Sequence, residues 1–334
     1  MNTPFLSLIP ELHGRKIMII GDMVADVYLE GKVSRISREA PVLILQHLTE
    51  NVVPGGAANA VHNTAALGGC VYAVGVVGED YAGQQLTHSL QLKQVNTNGI
   101  ITDPSRPTIT KTRVMAGGQA TVRQQLVRID REKKEPLSVS SEQAVKNYIL
   151  AHIDSMAGLI LSDYGSHTLS PGIIRSAIDT CHQAGIPCIV DSRYNIMAYN
   201  GVTVVKQNES EAAAALGYEI VDENTLVTAG WALLKRLNAQ AVLITRGPDG
   251  MALFETSGKY THIPVTNKSA VYDVTGAGDT VVATMILALA AGASYLDAAQ
   301  LANFAAGIVV RKLGTATAAP EELAEAISRH QYEV

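Results

Sequence analysis

DVTGAGD, residues 273–279, turns a polar strand end directly into a helix that begins near Gly276. The Gly-Ala-Gly run lets the backbone approach a ligand closely. N–H groups in a first helical turn have no helical partner, and with the helix dipole they favour a bound anion. A carboxylate in that turn would repel a phosphate unless it has another task. One task fits Asp279: taking the proton of an attacking hydroxyl while the amides of Gly276, Ala277 and Gly278 stabilise a transferring phosphoryl group. The plainer alternative is a glycine-rich helix start with Asp279 as an ordinary first-turn acid.

Working outward, two long small-residue helices are expected near 276–291 and 295–312, and a surface helix from Glu321. Upstream, strands at Leu159–Leu161, Cys188–Val190, Thr203–Val205 and Val242–Thr245 alternate with amphipathic helical stretches. That alternation predicts an α/β fold with a doubly wound, mostly parallel sheet in three layers. Lys16–Gly21 (KIMIIG) reads as a central parallel strand. No helix follows it at once. Val27–Val33 and Val42–Leu48 instead read as β segments around a polar turn, and Thr108–Met115 and Gln124–Asp130 are β-like as well. These predict a small β lid over about 27–48 and 108–130. Residues 56–67 are helix-compatible and end at Gly68-Gly69, and Val71–Val77 is a further strand. There is no repeat or linker, so residues 1–334 read as one domain with a lid.

Composition narrows the function. Hydrophobic residues are 47% and charged residues 17% of the 334, enough for a large core. The net charge is −5 and no long basic block occurs, which argues against nucleic acid as a partner. Cys70, Cys181 and Cys188 lack metal-ligand spacing and read as buried thiols of a cytoplasmic protein. The first ten residues lack a signal-peptide pattern. The apolar stretch Val281–Ala291 is shorter than the ~20 residues of a membrane span, so no membrane partner is expected.

DVTGAGD resembles the C-terminal signature of the ribokinase-like (PfkB) carbohydrate kinases. Gly55-Gly56-Ala57-Ala58-Asn59, with Gly68 and Gly78, resembles their N-terminal signature. The two lie over 200 residues apart in the family's order, and the resemblance covers about residues 14–317. It implies an ATP- and Mg²⁺-dependent sugar kinase with Asp279 as catalytic base. Asp22 would hydrogen-bond sugar hydroxyls with Asn59 as its partner, and Gly55 and Gly56 would line the same site. Lys206 and Asn208 would face the nucleotide, and Glu211, in Asn208-Glu209-Ser210-Glu211, would hold magnesium through water. Thr245-Arg246-Gly247 resembles the nucleotide-phosphate loop and Asp249-Gly250 its hairpin, while Asn303 and Gly307 match positions lining the adenine and ribose site. Asp273 and Thr275 match positions that hold a monovalent cation, K⁺, in many relatives.

The lid narrows the substrate. Residues 31–42 (GKVSRISREAPV) resemble the R-I-S-P-E-A-P-V segment of the heptose-7-phosphate kinases. Gly21-Asp22…Asp26, the QQLVRID run ending at Asp130, and Leu161-Ser162-Asp163-Tyr164 resemble three more of their segments. The resemblance implies phosphorylation of the anomeric hydroxyl of D-glycero-D-manno-heptose 7-phosphate, towards lipopolysaccharide or another surface glycan, by a homodimer. Asp26, Arg35, Arg128 and Asp163 then join the substrate-binding set. A phosphorylated substrate calls for cations, and Arg35, Arg38, Lys111, Arg113, Arg123 and Arg128 are available. Three departures stand out: Ser166-His167 in place of Lys-Gly, Asp191-Ser192-Arg193-Tyr194 in place of D-P-K-G, and Arg38 in place of proline. Two of them remove a lysine, and Arg193 can replace one. The 334 residues also leave no room for the nucleotidyltransferase domain that many heptose kinases carry behind them. Other readings are a kinase of another sugar phosphate, free sugar or nucleoside, or a non-catalytic sugar sensor. A dinucleotide oxidoreductase is disfavoured, because no G-x-G-x-x-G follows the first strand.

Overall fold

The computed structural model describes residues 4–117, 124–266 and 271–333. In chain order the elements are α1 (Pro4–Leu12), β1 (Lys16–Gly21), β2 (Met23–Ile36), β3 (Leu43–Gly56), α2 (Ala57–Ala66), β4 (Cys70–Val77), α3 (Tyr81–Gln91), β5 (Asn96–Thr102), β6 (Ile109–Ala116) and β7 (Gln124–Arg131). There follow α4 (Val139–His152), β8 (Gly158–Asp163), α5 (Pro171–Ala184), β9 (Cys188–Ser192), β10 (Val204–Asn208), α6 (Glu209–Leu216), α7 (Glu223–Arg236), β11 (Ala241–Thr245), β12 (Met251–Glu255) and β13 (Tyr260–Ile263). Three helices close the chain: α8 (Ala277–Ala290), α9 (Tyr295–Val309) and α10 (Pro320–Glu333).

Nine strands form the main sheet in the order β13-β12-β11-β10-β9-β8-β1-β4-β5. It is parallel from β11 to β5, with β12 and β13 antiparallel at one edge. The central strands are buried on both faces, as the unbroken GLILSD of β8 requires. One face packs on α1, α2, α8, α9 and α10, the other on α4, α5 and α7. This is the doubly wound, three-layer architecture that the alternation predicts. β5 escapes the periodicity reading because it is an edge strand, half polar and half buried. Strands β1 and β8 are neighbours, and the chain leaves them in opposite directions, to β4 on one side and β9 on the other. In open sheets of this kind ligands bind in the crevice at the carboxyl ends of such a pair.

A second, four-stranded sheet, β3-β2-β6-β7, makes the lid. Its hairpin strands are longer than the sequence suggests. β2 and β3 run without interruption from the crevice to the lid tip, apart from two bulges. Pairing fixes which residues share a face: Asp26 lies opposite Lys111, Tyr28 opposite Arg113, and Arg113 opposite Arg128. Cys181 and Cys188 are buried, but Cys70, at the start of β4, is exposed, contrary to expectation. No helix among the described residues is long and apolar enough to cross a membrane.

Candidate active site

The end of β8, the start of α2 and the start of α8 meet in the crevice. Gly276 caps α8 in the left-handed region, φ 81°. A Cβ there would stand 2.7 Å from Asn59 Nδ2, so the close approach of α2 requires glycine. Asn59 Nδ2 donates to Asp279 Oδ2 at 2.6 Å, and the Tyr164 hydroxyl donates to Asp279 Oδ1 at 2.9 Å. Burial pushes the Asp279 carboxyl up to about 6, and the neighbouring Asp191 adds to this. Its two hydrogen bonds and the Lys206 ammonium pull the other way. A carboxylate binds up to four donors, so two lone-pair positions stay open for a substrate hydroxyl. Thr280 and Asn63 support Asn59 from below.

Lys206, at the end of β10, is buried, with Nζ 2.8 Å from Asp191 Oδ2. Burial alone would lower its pKa, but the Asp191 and Glu211 carboxylates hold it above the ordinary lysine value. A Cβ on Gly278 would come within 2.7 Å of that ammonium. The Ala277 amide donates to the Val274 carbonyl at 3.2 Å, so the Gly278 backbone and the Lys206 charge are what share this space, which suits a phosphoryl group. Asn208 and Glu211 form a reciprocal cap on α6. One Glu211 oxygen accepts from the Asn208 amide, and burial raises the Glu211 carboxyl. The Glu211 carboxylate, with Asp191 near it, is the group that would meet a hydrated divalent cation through water.

Beyond α6, Thr245 ends β11. Gly247 and Gly250 bracket the turn into β12, which Arg246 anchors through Glu209 and Glu223. Asn303 is buried and donates to the Pro264 carbonyl at 2.7 Å, so its side chain fixes a loop. Gly307 lines a cavity of about 270 Å³ with Thr266, Phe304, Ile308, Arg311 and Lys312. The Asp273 carboxylate accepts from the amides of Thr275 and Gly314. Its side chain is thus spent on closing the loop, and a monovalent cation there would rely on backbone carbonyls.

Four expectations change. Asp22 does not face the crevice. Its side chain is fully buried and accepts from the amides of Tyr164, Ser166 and Thr168 at 2.9, 3.0 and 3.1 Å. Burial raises its pKa and these bonds oppose the rise. Asp22 therefore holds the loop after β8. Asp163 is spent likewise, accepting from Ser192, Tyr199 and the Gly165 amide. Arg35 lies exposed near the lid tip, nine positions past Asp26, which is about 30 Å of extended strand. Arg128 is exposed on the edge strand and forms a two-pronged pair with Asp130. Arg123 lies outside the described residues.

Asp26 is placed differently. It is buried beside Gly55, where a Cβ would stand 2.7 Å from its Cγ. Arg113 Nη1 lies 2.7 Å from Asp26 Oδ1, yet that oxygen has no aligned hydrogen bond. The oxygen is buried and ion-paired, beside Gly55 near the end of β3. Sequence reading gave Tyr164 no individual role, named Lys111 among the available cations and offered Arg193 in place of a missing lysine. Here Lys111 Nζ and Arg193 Cζ lie 5.5 and 5.7 Å from the centre of the Tyr164 ring. The alternation of β6 places Lys111 and Arg113 on one face, which separates them from the other available cations.

Against known proteins, the family described as pfkB family carbohydrate kinase matches residues 15–322. The protein named Bifunctional protein HldE of Geobacter sulfurreducens is 42% identical over 307 residues, 92% of this chain and 61% of that one. Its namesake in Pelobacter propionicus is 40% identical over 323 residues, 96% of this chain and 65% of that one. The chain thus spans less than two thirds of the length of these relatives. Among solved structures, Escherichia coli phosphofructokinase-2 in complex with potassium has a TM-score of 0.76 at 18% identity, covering 95% of this chain and 99% of that one. Arabidopsis thaliana ribokinase complexed with ribose and ATP gives 0.68 at 19% identity, covering 95% and 98%. At such identities the likeness concerns the fold.

Proposed function

Because the chain belongs to the pfkB family of carbohydrate kinases, we propose that it transfers the γ-phosphoryl group of ATP to the anomeric hydroxyl of D-glycero-D-manno-heptose 7-phosphate, giving the 1,7-bisphosphate. The observation that carries the reading is the Asp279 carboxylate, raised to about 6 and set in the first turn of α8 beside the 276–278 amides and Lys206. The hydroxyl attacks the γ-phosphorus, its proton passes to Asp279, and the bond to the β–γ bridging oxygen breaks to release ADP. Asn59 and Tyr164 hold the base, and Lys206 with the Gly276 and Gly278 amides receives the charge of the transferring group. Magnesium, bound through water near Glu211, would neutralise charge on the β- and γ-phosphates. Asp26 accepts from a sugar hydroxyl, and the lid over the crevice limits loss of ATP to water. ADP formation across a panel of phosphorylated and free sugars tests the assignment. A preference for an unphosphorylated sugar or a nucleoside would overturn the heptose phosphate, and no transfer to any acceptor would favour a sugar sensor.

A base near 6 must be ionised to work. The acid limb of the kcat/KM–pH profile is expected near pH 6, with rate lost as pH falls below it. An acid limb near pH 4 would remove Asp279 from the base role.

The remote phosphate of the sugar falls to Lys111 and Arg193. Among the described residues neither forms an ion pair, whereas Arg113 and Arg128 are already engaged. Lys111→Met and Arg193→Met should each lower kcat/KM for the sugar phosphate by roughly 10-fold and change it for the matching unphosphorylated sugar far less. Arg35→Ala should change either by less than about 3-fold. Equal losses on both sugars would point to lid damage instead. The opposite lid face exposes Val127 and Ile129, which supports a homodimer joined through the lids. Sedimentation of a Val127→Asp, Ile129→Asp double variant checks this, with monomers expected.

A further inference from the structure

We propose that Tyr164 is a positioning residue through which the lid controls the catalytic carboxylate. The inference rests on Asp279 being the base of the proposed kinase. Tyr164 sits just beyond β8, on the loop whose amides grip Asp22. Its hydroxyl donates to Asp279 Oδ1, and its ring lies near two cations carried by different parts of the fold. Lys111 comes from β6 of the lid. Arg193 comes from the loop after β9 in the body. One side chain therefore touches the base, the lid and the body at once.

The physics gives the connection a direction. A cation near a phenol ring draws electron density from it and makes the hydroxyl a stronger donor. A stronger donor stabilises the ionised carboxylate. An anionic substrate that engages Lys111 and Arg193 withdraws that polarisation. The hydroxyl then donates less strongly, and Asp279 gains proton affinity as the acceptor hydroxyl arrives. An uncharged sugar leaves the cations on the ring and the base weaker. Other groups set the baseline. Asp279 also meets Asn59 from α2, Asp191 from β9 and Lys206 from β10, with Glu211 of α6 behind Lys206. Tyr164 is itself held well above the ordinary phenol value, by burial first and then by the Asp279 and Asp191 carboxylates. It stays protonated and serves as a donor throughout the working range.

The test is titration of the Asp279 carboxyl by carbon-13 NMR on the full chain without sugar, with Asp279→Asn to assign the signal. Tyr164→Phe keeps the ring and its cations but removes the donor. The Asp279 midpoint is expected to rise by roughly half a unit to one unit, and the acid limb of kcat/KM should move with it while KM for ATP stays within about 2-fold. Lys111→Met, a lid change away from the core, should raise the midpoint in the wild-type background and much less in the Tyr164→Phe background. A purely structural role for Tyr164 would not produce that dependence. An unmoved midpoint in Tyr164→Phe, or an equal Lys111→Met shift in both backgrounds, overturns the proposal. Because the titration needs no sugar, failure of the heptose phosphate assignment would show separately, in the substrate panel.

Discussion

Asp279→Asn lowers turnover by at least about 10²-fold, the loss typical of removing a general base. Size is kept, and Asn59 and Tyr164 can still reach the amide. Binding of ATP and sugar, measured by calorimetry, should therefore stay within several-fold of wild type. The same variant makes an independent prediction about stability. The folded carboxyl is raised from 3.8 to about 6, so between those values the folded protein holds a proton that the unfolded chain has released. Stability then falls as pH rises through that window. Asn carries no charge to bury, so the variant should be more stable than wild type at pH 8, on the order of 1–3 kcal/mol. The gain should vanish below about pH 4. Denaturant titrations at the two pH values decide the matter. Near-wild-type turnover, or a variant less stable at pH 8 than at pH 4 relative to wild type, would count against a strained, ionised base.

Asp22→Ala is expected to damage the whole fold. Three backbone amides, at Tyr164, Ser166 and Thr168, lose a buried acceptor together. Each orphaned donor costs about 1–3 kcal/mol, partly offset by no longer burying a charge. A net loss of roughly 3–5 kcal/mol follows, with the thermal midpoint lower by roughly 5–10 °C. The loop it frees carries Tyr164, so turnover with every sugar should fall alike. Asp26→Asn is the contrast. It should keep the thermal midpoint within a few degrees and lower kcat/KM for the sugar by roughly 10-fold, with KM for ATP unchanged. If Asp22→Ala melts like wild type and loses only sugar use, Asp22 belongs to the sugar site after all.

These two aspartates show how far the sequence could be read. Both stand near the end of an apolar strand, four positions apart, and either could face a ligand. The difference lies in a loop more than 140 residues away, whose amides close around one of them. No local pattern carries that. The setting of Asp279 in the first turn of α8 was legible because its neighbours in sequence, residues 276–278, are also its neighbours in space. The parallel core was legible because strands buried on both faces carry an apolar run, as in Ile17–Ile20 of β1 and Leu159–Leu161 of β8. The edge strand β5 and the full length of the lid strands were not, since half-exposed strands mix polar and apolar residues freely. Arg35 was misjudged for a related reason: its motif speaks to kinship, while reach depends on how far the strand runs before the chain turns back.

The uninterrupted course of β2 and β3 bears on how fast such a protein could work. Each strand has 14 residues, roughly 46 Å of extended chain. Both are rooted at the crevice, where the Ala57 amide bonds to the Asp22 carbonyl. A pair rooted at one end behaves as a stiff lever with its fulcrum beside the chemistry. A rotation of about 10° at the root would carry the far end through roughly 8 Å. Swings of that amplitude against solvent belong to the microsecond-to-millisecond range. Turnover governed by such a swing would slow as the solvent thickens, and a proline that stiffens the root would slow it further while leaving the bound geometry intact.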